Sequence, residues 1–142
     1  MTYLSPKHIS SLQTFKKVTI ATIQAIARRT DLHIEFSSNT VKIIDRHIIL
    51  PLIPPSCNEA TIALIRGSAD SVALRLRYHN PKLHITLRPS EKIARLIFDN
   101  MEQIRCELCA TEMKGIAHNL QAALEQYHHV PQSHPCRSDR CG

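Results

Sequence analysis

Residues 90–128 carry the pattern that most narrows what this chain can become. After Ser90, Ile93, Ile97, Met101, Ile104 and Leu108 step by four and three. That spacing puts them on one face of an α-helix and fits no strand. Gly115 is the candidate break, after which Ile116, Leu120, Leu124 and Tyr127 continue a stripe to about His128. Two further helices are legible by their starts. Ser5-Pro6 offers a capping hydroxyl before a proline suited to the first helical position. Ile9, Leu12, Phe15, Ile23 and Ile26 follow at helical spacing to Arg28-Arg29, whose charges suit a helix C-terminus. Ser56-Cys-Asn-Glu59 has the form of a capping box, opening a helix that buries Ile62, Ile65, Val72 and Leu76 and stops by Asn80-Pro81.

Between the first two helices the period changes. Leu32, Ile34 and Phe36 alternate with His33 and Glu35, which predicts a strand. Ser37-Ser-Asn39 supplies a turn, Val41 to Leu50 one or two more short strands, and Pro51, Pro54 and Pro55 end the sheet. Leu83, Ile85 and Leu87 alternate again, so a short strand is expected between the second and third helices. The expected fold is a mainly helical α+β domain, with three long helices and a small antiparallel sheet. It spans residues 1–129, followed by a polar, aperiodic tail over 130–142 that reads as disordered.

At 142 residues a single domain buries enough surface to fold without a disulfide or metal staple. No apolar run approaches the ~20 residues needed to cross a bilayer, and the N-terminus lacks the basic start and apolar core of a signal peptide. A soluble, cytoplasmic protein is expected. The net charge is +6, and the stretch from Arg66 to Arg95, with seven basic and two acidic residues, accounts for five of those charges. Such a surface attracts an acidic partner of any chemistry. Aromatic residues make up only 4% and Trp is absent, so the stacking groups common in nucleic-acid binders are scarce. A basic helical nucleic-acid-binding domain is the alternative, carried by charge alone.

Few constellations suggest chemistry. Only three glycines occur, and Gly67 and Gly115 are isolated, which excludes a phosphate-cradling loop. No Ser lies in a nucleophile elbow and no Asp cluster has metal-site spacing. No catalytic or cofactor-binding residue is assigned. Cys106-x-x-Cys109, with His128, His129, His134, Cys136 and Cys141 beyond it, raises a zinc site. Cys106 and Cys109 fall inside a helical pattern with no turn beside them, so reduced, helix-packing thiols are the simpler reading and no metal is assigned. Arg66 and Asp70 are four apart and can pair along a helix face, beside a Gly67 where another helix packs close.

Taken in order, several segments resemble the amino-terminal region of the CobT family. They are Arg66-Gly-Ser-Ala-Asp70, Ala73-Leu-Arg-Leu-Arg-Tyr-His-Asn80 and Leu83-His84. Ala94-Arg95, Phe98-Asp99 and Met101-Glu-Gln-Ile-Arg105 are similar to that family's central helix. Met113-Lys-Gly-Ile-Ala117 and Asn119-Leu120 continue the likeness, while Phe15-Lys16 and Ala25-Ile-Ala27 resemble its first helix. The likeness covers roughly residues 10–128.

The resemblance implies a non-catalytic subunit of the aerobic, ATP-dependent cobaltochelatase, which inserts cobalt into hydrogenobyrinic acid a,c-diamide in cobalamin biosynthesis. It implies two partners, a CobS-like AAA+ ATPase subunit and a CobN-like large subunit that holds the tetrapyrrole. ATP, magnesium and cobalt would be used by that complex and not held by this chain. Family members are several times longer, with an acidic linker and a von Willebrand factor A domain whose Asp-x-Ser-x-Ser adhesion motif occurs nowhere here. The chain is therefore expected to be a truncated or frameshifted product. The expected interaction surface comprises Arg66, Asp70, Arg75, Arg77, His79 and Arg95, facing an acidic partner. A membrane is not expected, nucleic acid is disfavoured, and a homo-oligomer is left open.

Overall fold

The structure is a computed structural model that describes the backbone of residues 6–110 and 112–129, with side chains from 10 to 110 and 112 to 125. Helix α1 spans Pro6–Ala27 and is followed by strands β1 (His33–Ser38), β2 (Lys42–Ile44) and β3 (His47–Pro51). Helices α2 (Glu59–Tyr78), α3 (Pro81–Leu87), α4 (Lys92–Leu108) and α5 (Ile116–His129) complete the order. The domain is mainly helical α+β, as expected. No helix among the described residues is long and apolar enough to cross a membrane. The expected Ser5 cap and the tail over 130–142 lie outside the described residues.

Three boundaries differ from the sequence reading, each for a local reason. Helix α1 ends in a left-handed residue: Arg28 has φ 54°, its N–H donates to the Ala25 carbonyl, and Arg29 N–H donates to that of Gln24. This paired closure satisfies the terminal carbonyls without calling on the two arginine charges. Arg29 instead makes two bonds to Asp31, at 3.2 and 3.1 Å. The cap of α2 is Asn58 rather than Ser56, because its Oδ1 accepts from Thr61 N–H at 2.8 Å and from the Thr61 hydroxyl at 2.7 Å. The cap of α4 is Glu91 rather than Ser90, accepting from Ala94 N–H at 2.7 Å.

The strand expected at Leu83–Leu87 is helix α3. Asn80-Pro81 stops α2, as the sequence indicates, and it also opens α3: Asn80 Oδ1 accepts from Leu83 N–H at 3.1 Å and Pro81 sits in the first turn. Leu83, Ile85 and Leu87 are all more than half exposed, so their alternation buries no strand face.

The sheet is mixed, not antiparallel. Its order is β1-β3-β2, with β3 parallel to β1 and antiparallel to β2. Ile34 sits opposite Ile48 and Phe36 opposite Leu50, while Ile43 faces Ile48 from the other side. A tight turn with Asp45 at φ 53° joins β2 to β3. Burial decides the arrangement: Ile48 and Leu50 are fully buried, so the most apolar strand takes the centre and the chain skips a position to put it there. The core joins that strand to Ile23 and Ala27 of α1 and to Ala69, Val72 and Ala73 of α2.

Candidate functional site

Helix α2 is the shared axis of the domain, and α4 lies along it with its polarity reversed relative to an ordinary surface helix. The face of α4 turned toward α2 and α3 carries Asp99, Glu102, Gln103, Cys106 and Glu107. These groups bond rather than merely pack. Gln103 Nε2 donates to the Ser71 hydroxyl at 2.8 Å, and that hydroxyl donates to Glu107 Oε1 at 2.6 Å. Arg75 donates to Gln103 Oε1 at 3.1 Å. Part-buried polar groups supplied with partners in this way hold a joint in one geometry.

The same face builds a histidine–carboxylate cluster where α2 ends. His79 Nδ1 lies 2.8 Å from Glu102 Oε1, and His84 Nε2 lies 2.8 Å from Asp99 Oδ1. The two imidazoles meet edge to face with centroids 4.8 Å apart, and His84 also lies 4.8 Å from the Phe98 ring. Arg105 binds both oxygens of Glu102, at 2.7 and 2.8 Å, and reaches the Tyr78 carbonyl at 2.8 Å. Arg88 pairs with both oxygens of Asp99. The Arg105 guanidinium, with the His79 bond, lowers Glu102 to a pKa of about 2. Arg88, then His84, does the same for Asp99, also to about 2.

Donor atoms of His79, His84 and Glu102 lie within 4.8 Å of one another, close enough to consider a metal ion. The chemistry argues against a cage. Both nearby carboxylates are already occupied by guanidinium groups, so a dication would enter among cations. The cluster reads as a hydrogen-bonded lock between α2, α3 and α4. The cysteines expected to pack within a helix separate. Cys106 is fully buried, and burial together with nearby Glu102 pushes its thiol up to about 11, whereas Cys109 is exposed. The side chains of His128 and His129, and residues His134, Cys136 and Cys141, lie outside the described residues.

Turning the polar face inward turns the apolar face outward. Ile93, Leu96, Ile97, Met101, Ile104 and Leu108 are between 47% and 66% exposed. The stripe that the sequence marks as a packing face is therefore open, and Leu83 and Leu87 of α3 line a hollow beside it with Phe98. A monomer rarely exposes so much contiguous apolar surface without use for it. A separate hollow of about 280 Å³ between α1 and the loop after β3 is lined mainly by Leu12, Phe15, Ile53, Pro54, Pro55 and Ile62, a set of packing residues.

The six residues expected to form an interaction surface are dispersed. Arg66 lies over the Phe15 ring at 5.7 Å, and Arg77 donates to the Ile26 carbonyl at 3.2 Å, both toward α1. Arg75 and His79 face α4, and Arg95 donates to the Pro89 and Ser90 carbonyls at 3.3 and 2.6 Å. Asp70 is buried and accepts from Asn119 Nδ2 at 2.7 Å rather than pairing with Arg66. Its carboxyl is pushed up by burial, against the pull of Asn119 and Arg66. Sequence reasoning misses His84, Arg88, Asp99, Glu102 and Arg105. The i, i+3 spacing of Asp99 and Glu102 is visible in the chain, but the alternation around their partner His84 points to a strand.

Residues 10–138 match the family model described as cobalamin biosynthesis protein CobT. That span runs ten residues past the likeness read from the residues alone. No solved structure matches the chain.

Proposed function

The chain belongs to the CobT family and so to cobalamin biosynthesis, and on that premise we propose that it is a non-catalytic interaction domain of an ATP-dependent cobaltochelatase. The reaction served would be cobalt insertion into hydrogenobyrinic acid a,c-diamide in the cytoplasm. Cobalt is a substrate of that reaction, and ATP with magnesium would be bound by a CobS-like AAA+ partner. A CobN-like subunit would hold the tetrapyrrole. The observation that carries this reading is the reversed polarity of α4. Its polar side is spent on α2 and α3, and its apolar side is left for another protein.

The basic stretch contributes less than its charge count suggests. Arg88 is neutralised by Asp99, while Arg75, Arg77 and Arg95 bond to uncharged oxygens at α4, α1 and the loop before α4, so their charges are spread over different sides of the domain. Charge alone motivates the nucleic-acid alternative, and this dispersal weakens it. Co-purification of the 142-residue chain with the ATPase subunit at low salt is the test. Retention supports the reading; no retention, with the chain shown folded by circular dichroism, overturns it.

A further inference from the structure

Arg66 and Asp70 are one turn apart on α2, the spacing at which opposite charges ordinarily pair along a helix face. Here they are held apart. The Arg66 guanidinium lies over the Phe15 ring of α1, and Asp70 Oδ2 accepts from Asn119 of α5. Where α1, α2 and α5 meet, both residues line a hollow of about 100 Å³. Asp70 is only 3% exposed, yet its Oδ1 takes no hydrogen bond among the described residues. No side-chain oxygen or nitrogen sealed from solvent lacks a partner among those residues, so Oδ1 opens onto the hollow that Asp70 lines. Arg66 is exposed and makes neither ion pair nor hydrogen bond among the described residues. We propose that the hollow binds a small α-amino acid, whose ammonium group meets Asp70 and whose carboxylate meets Arg66.

The wall chemistry selects this class of ligand. Thr19, buried and also lining the hollow, commits its hydroxyl proton to the Phe15 carbonyl at 2.8 Å and keeps its lone pairs to accept with. Asn119 spends an amide hydrogen on Asp70 and leaves its Oδ1 as a further acceptor. With Asp70 Oδ1 these make three acceptors, and an ammonium group carries three donors. At the exposed mouth, the Arg66 fork presents donors in the geometry a carboxylate takes. A lone cation would suit Asp70 and be repelled by Arg66, and a lone anion would meet the reverse. A ligand with both charged groups on one carbon compensates both residues and leaves the site neutral. Burial favours the same occupant. It raises the Asp70 carboxyl despite the bond from Asn119 and the charge of Arg66, so this carboxylate lacks a close cation, and an ammonium group supplies one. The hollow has room for the two charged groups and the carbon between them, and a longer side chain would leave by the mouth. Its walls belong to α1, α2 and α5, so it stands independently of the outward face of α4 and of the interaction reading that rests on that face.

Glycine titrated into the isotope-labelled 142-residue chain, at constant pH and ionic strength, should bind with a dissociation constant of about 1 mM. Heteronuclear NMR should show saturable shifts at the Asn119 side-chain amide and the Arg66 Nε–H. Acetate and methylammonium each carry one half of the ligand and should bind at least roughly 10-fold more weakly. Arg66→Gln changes an exposed residue that makes no hydrogen bond among the described residues. It should leave the circular dichroism spectrum unchanged and weaken glycine binding about 10-fold. Asp70→Asn keeps an acceptor for Asn119 but loses the charge, and should abolish saturation. If that variant does not fold, Arg66→Gln decides alone. No shift at those two groups up to about 50 mM glycine overturns the proposal. So does acetate or methylammonium binding as tightly as glycine, since one charge would then suffice. Wild-type affinity for glycine in Arg66→Gln overturns it as well.

Discussion

Helix α2 is flanked by two helices that it holds in opposite ways. Toward α5 it offers Gly67, where a Cβ would come within 2.3 Å of the Ala123 Cβ and 2.5 Å of the Asn119 carbonyl oxygen. Backbones meet there almost directly, and one buried bond, Asn119 to Asp70, crosses the joint. Toward α4 it offers Ser71, Arg75 and His79, and the contact is made by long side chains bonding end to end. A close joint of small residues spends apolar surface inside the domain. A polar joint leaves its helix free to spend apolar surface elsewhere. The candidate site follows from the second joint: α4 can turn its apolar stripe outward because hydrogen bonds on its polar side attach it to α2 and α3.

The largest expected effect is at the close joint. Gly67→Ala gains helix propensity, but its methyl meets backbone, which cannot yield cheaply. We expect a net loss of about 2 kcal/mol, read as a melting temperature lower by roughly 4–8 °C. At the polar joint, Glu102→Ala strips an acceptor from both His79 and Arg105 but leaves those groups within reach of water. A smaller loss of about 1 kcal/mol is expected by urea unfolding. A loss equal to that of Gly67→Ala would erase the distinction between the joints.

Acid sharpens the contrast, because the two joints respond to pH with opposite sign. Glu102 and Asp99 are held near pKa 2, below ordinary carboxylates, so their stabilisation is complete above about pH 4.5 and is lost as pH falls toward 2. Asp70 is raised by burial, so it binds its proton more tightly when folded, and its contribution declines as pH rises from 3.8 through the raised value. In urea titrations between about pH 2 and 7, Asp99→Asn with Glu102→Gln should flatten the acid-side loss. Asp70→Asn keeps an acceptor for Asn119 and should remove the opposing slope. Identical profiles for the two variants would break the comparison. The smallest effect is chemical: iodoacetamide at about pH 8, read by peptide mass spectrometry, should modify Cys109 well before buried Cys106.

Much of the fold was legible because its signals are local. Alternation at Leu32–Phe36, the Asn-Pro stop at residue 80 and the break at Gly115 each depend on a few adjacent residues, and each marks a real boundary. The family likeness was legible too, and the structure shows why its pieces belong together. Gly67 and Asp70, on one segment of that likeness, meet Asn119 on another, so those residues form one joint. What failed was non-local. Alternation at Leu83–Leu87 resembles a strand until the absence of a buried face is known. The sheet's parallel pairing depends on which strand is most deeply buried. Where the six candidate interaction residues sit is also non-local and is a separate matter from those two differences: Arg66 and Arg77 turn to α1 and Arg75 to α4 according to which face of α2 each occupies, and Arg95 turns to nearby carbonyls.

The sequence by itself determined that residues 93–108 form an amphipathic helix and that its apolar positions recur by four and three, because periodicity is a property of the chain. It did not determine which face would look inward. A stripe of Ile, Met and Leu ordinarily packs on its own core, and that is how it reads in one dimension. Tertiary structure decided otherwise. Ser71, Arg75, His79 and His84 lie where α4 docks, and they find partners only on its polar side. Satisfying those part-buried polar groups outweighed burying the stripe within one chain, which left the apolar face open.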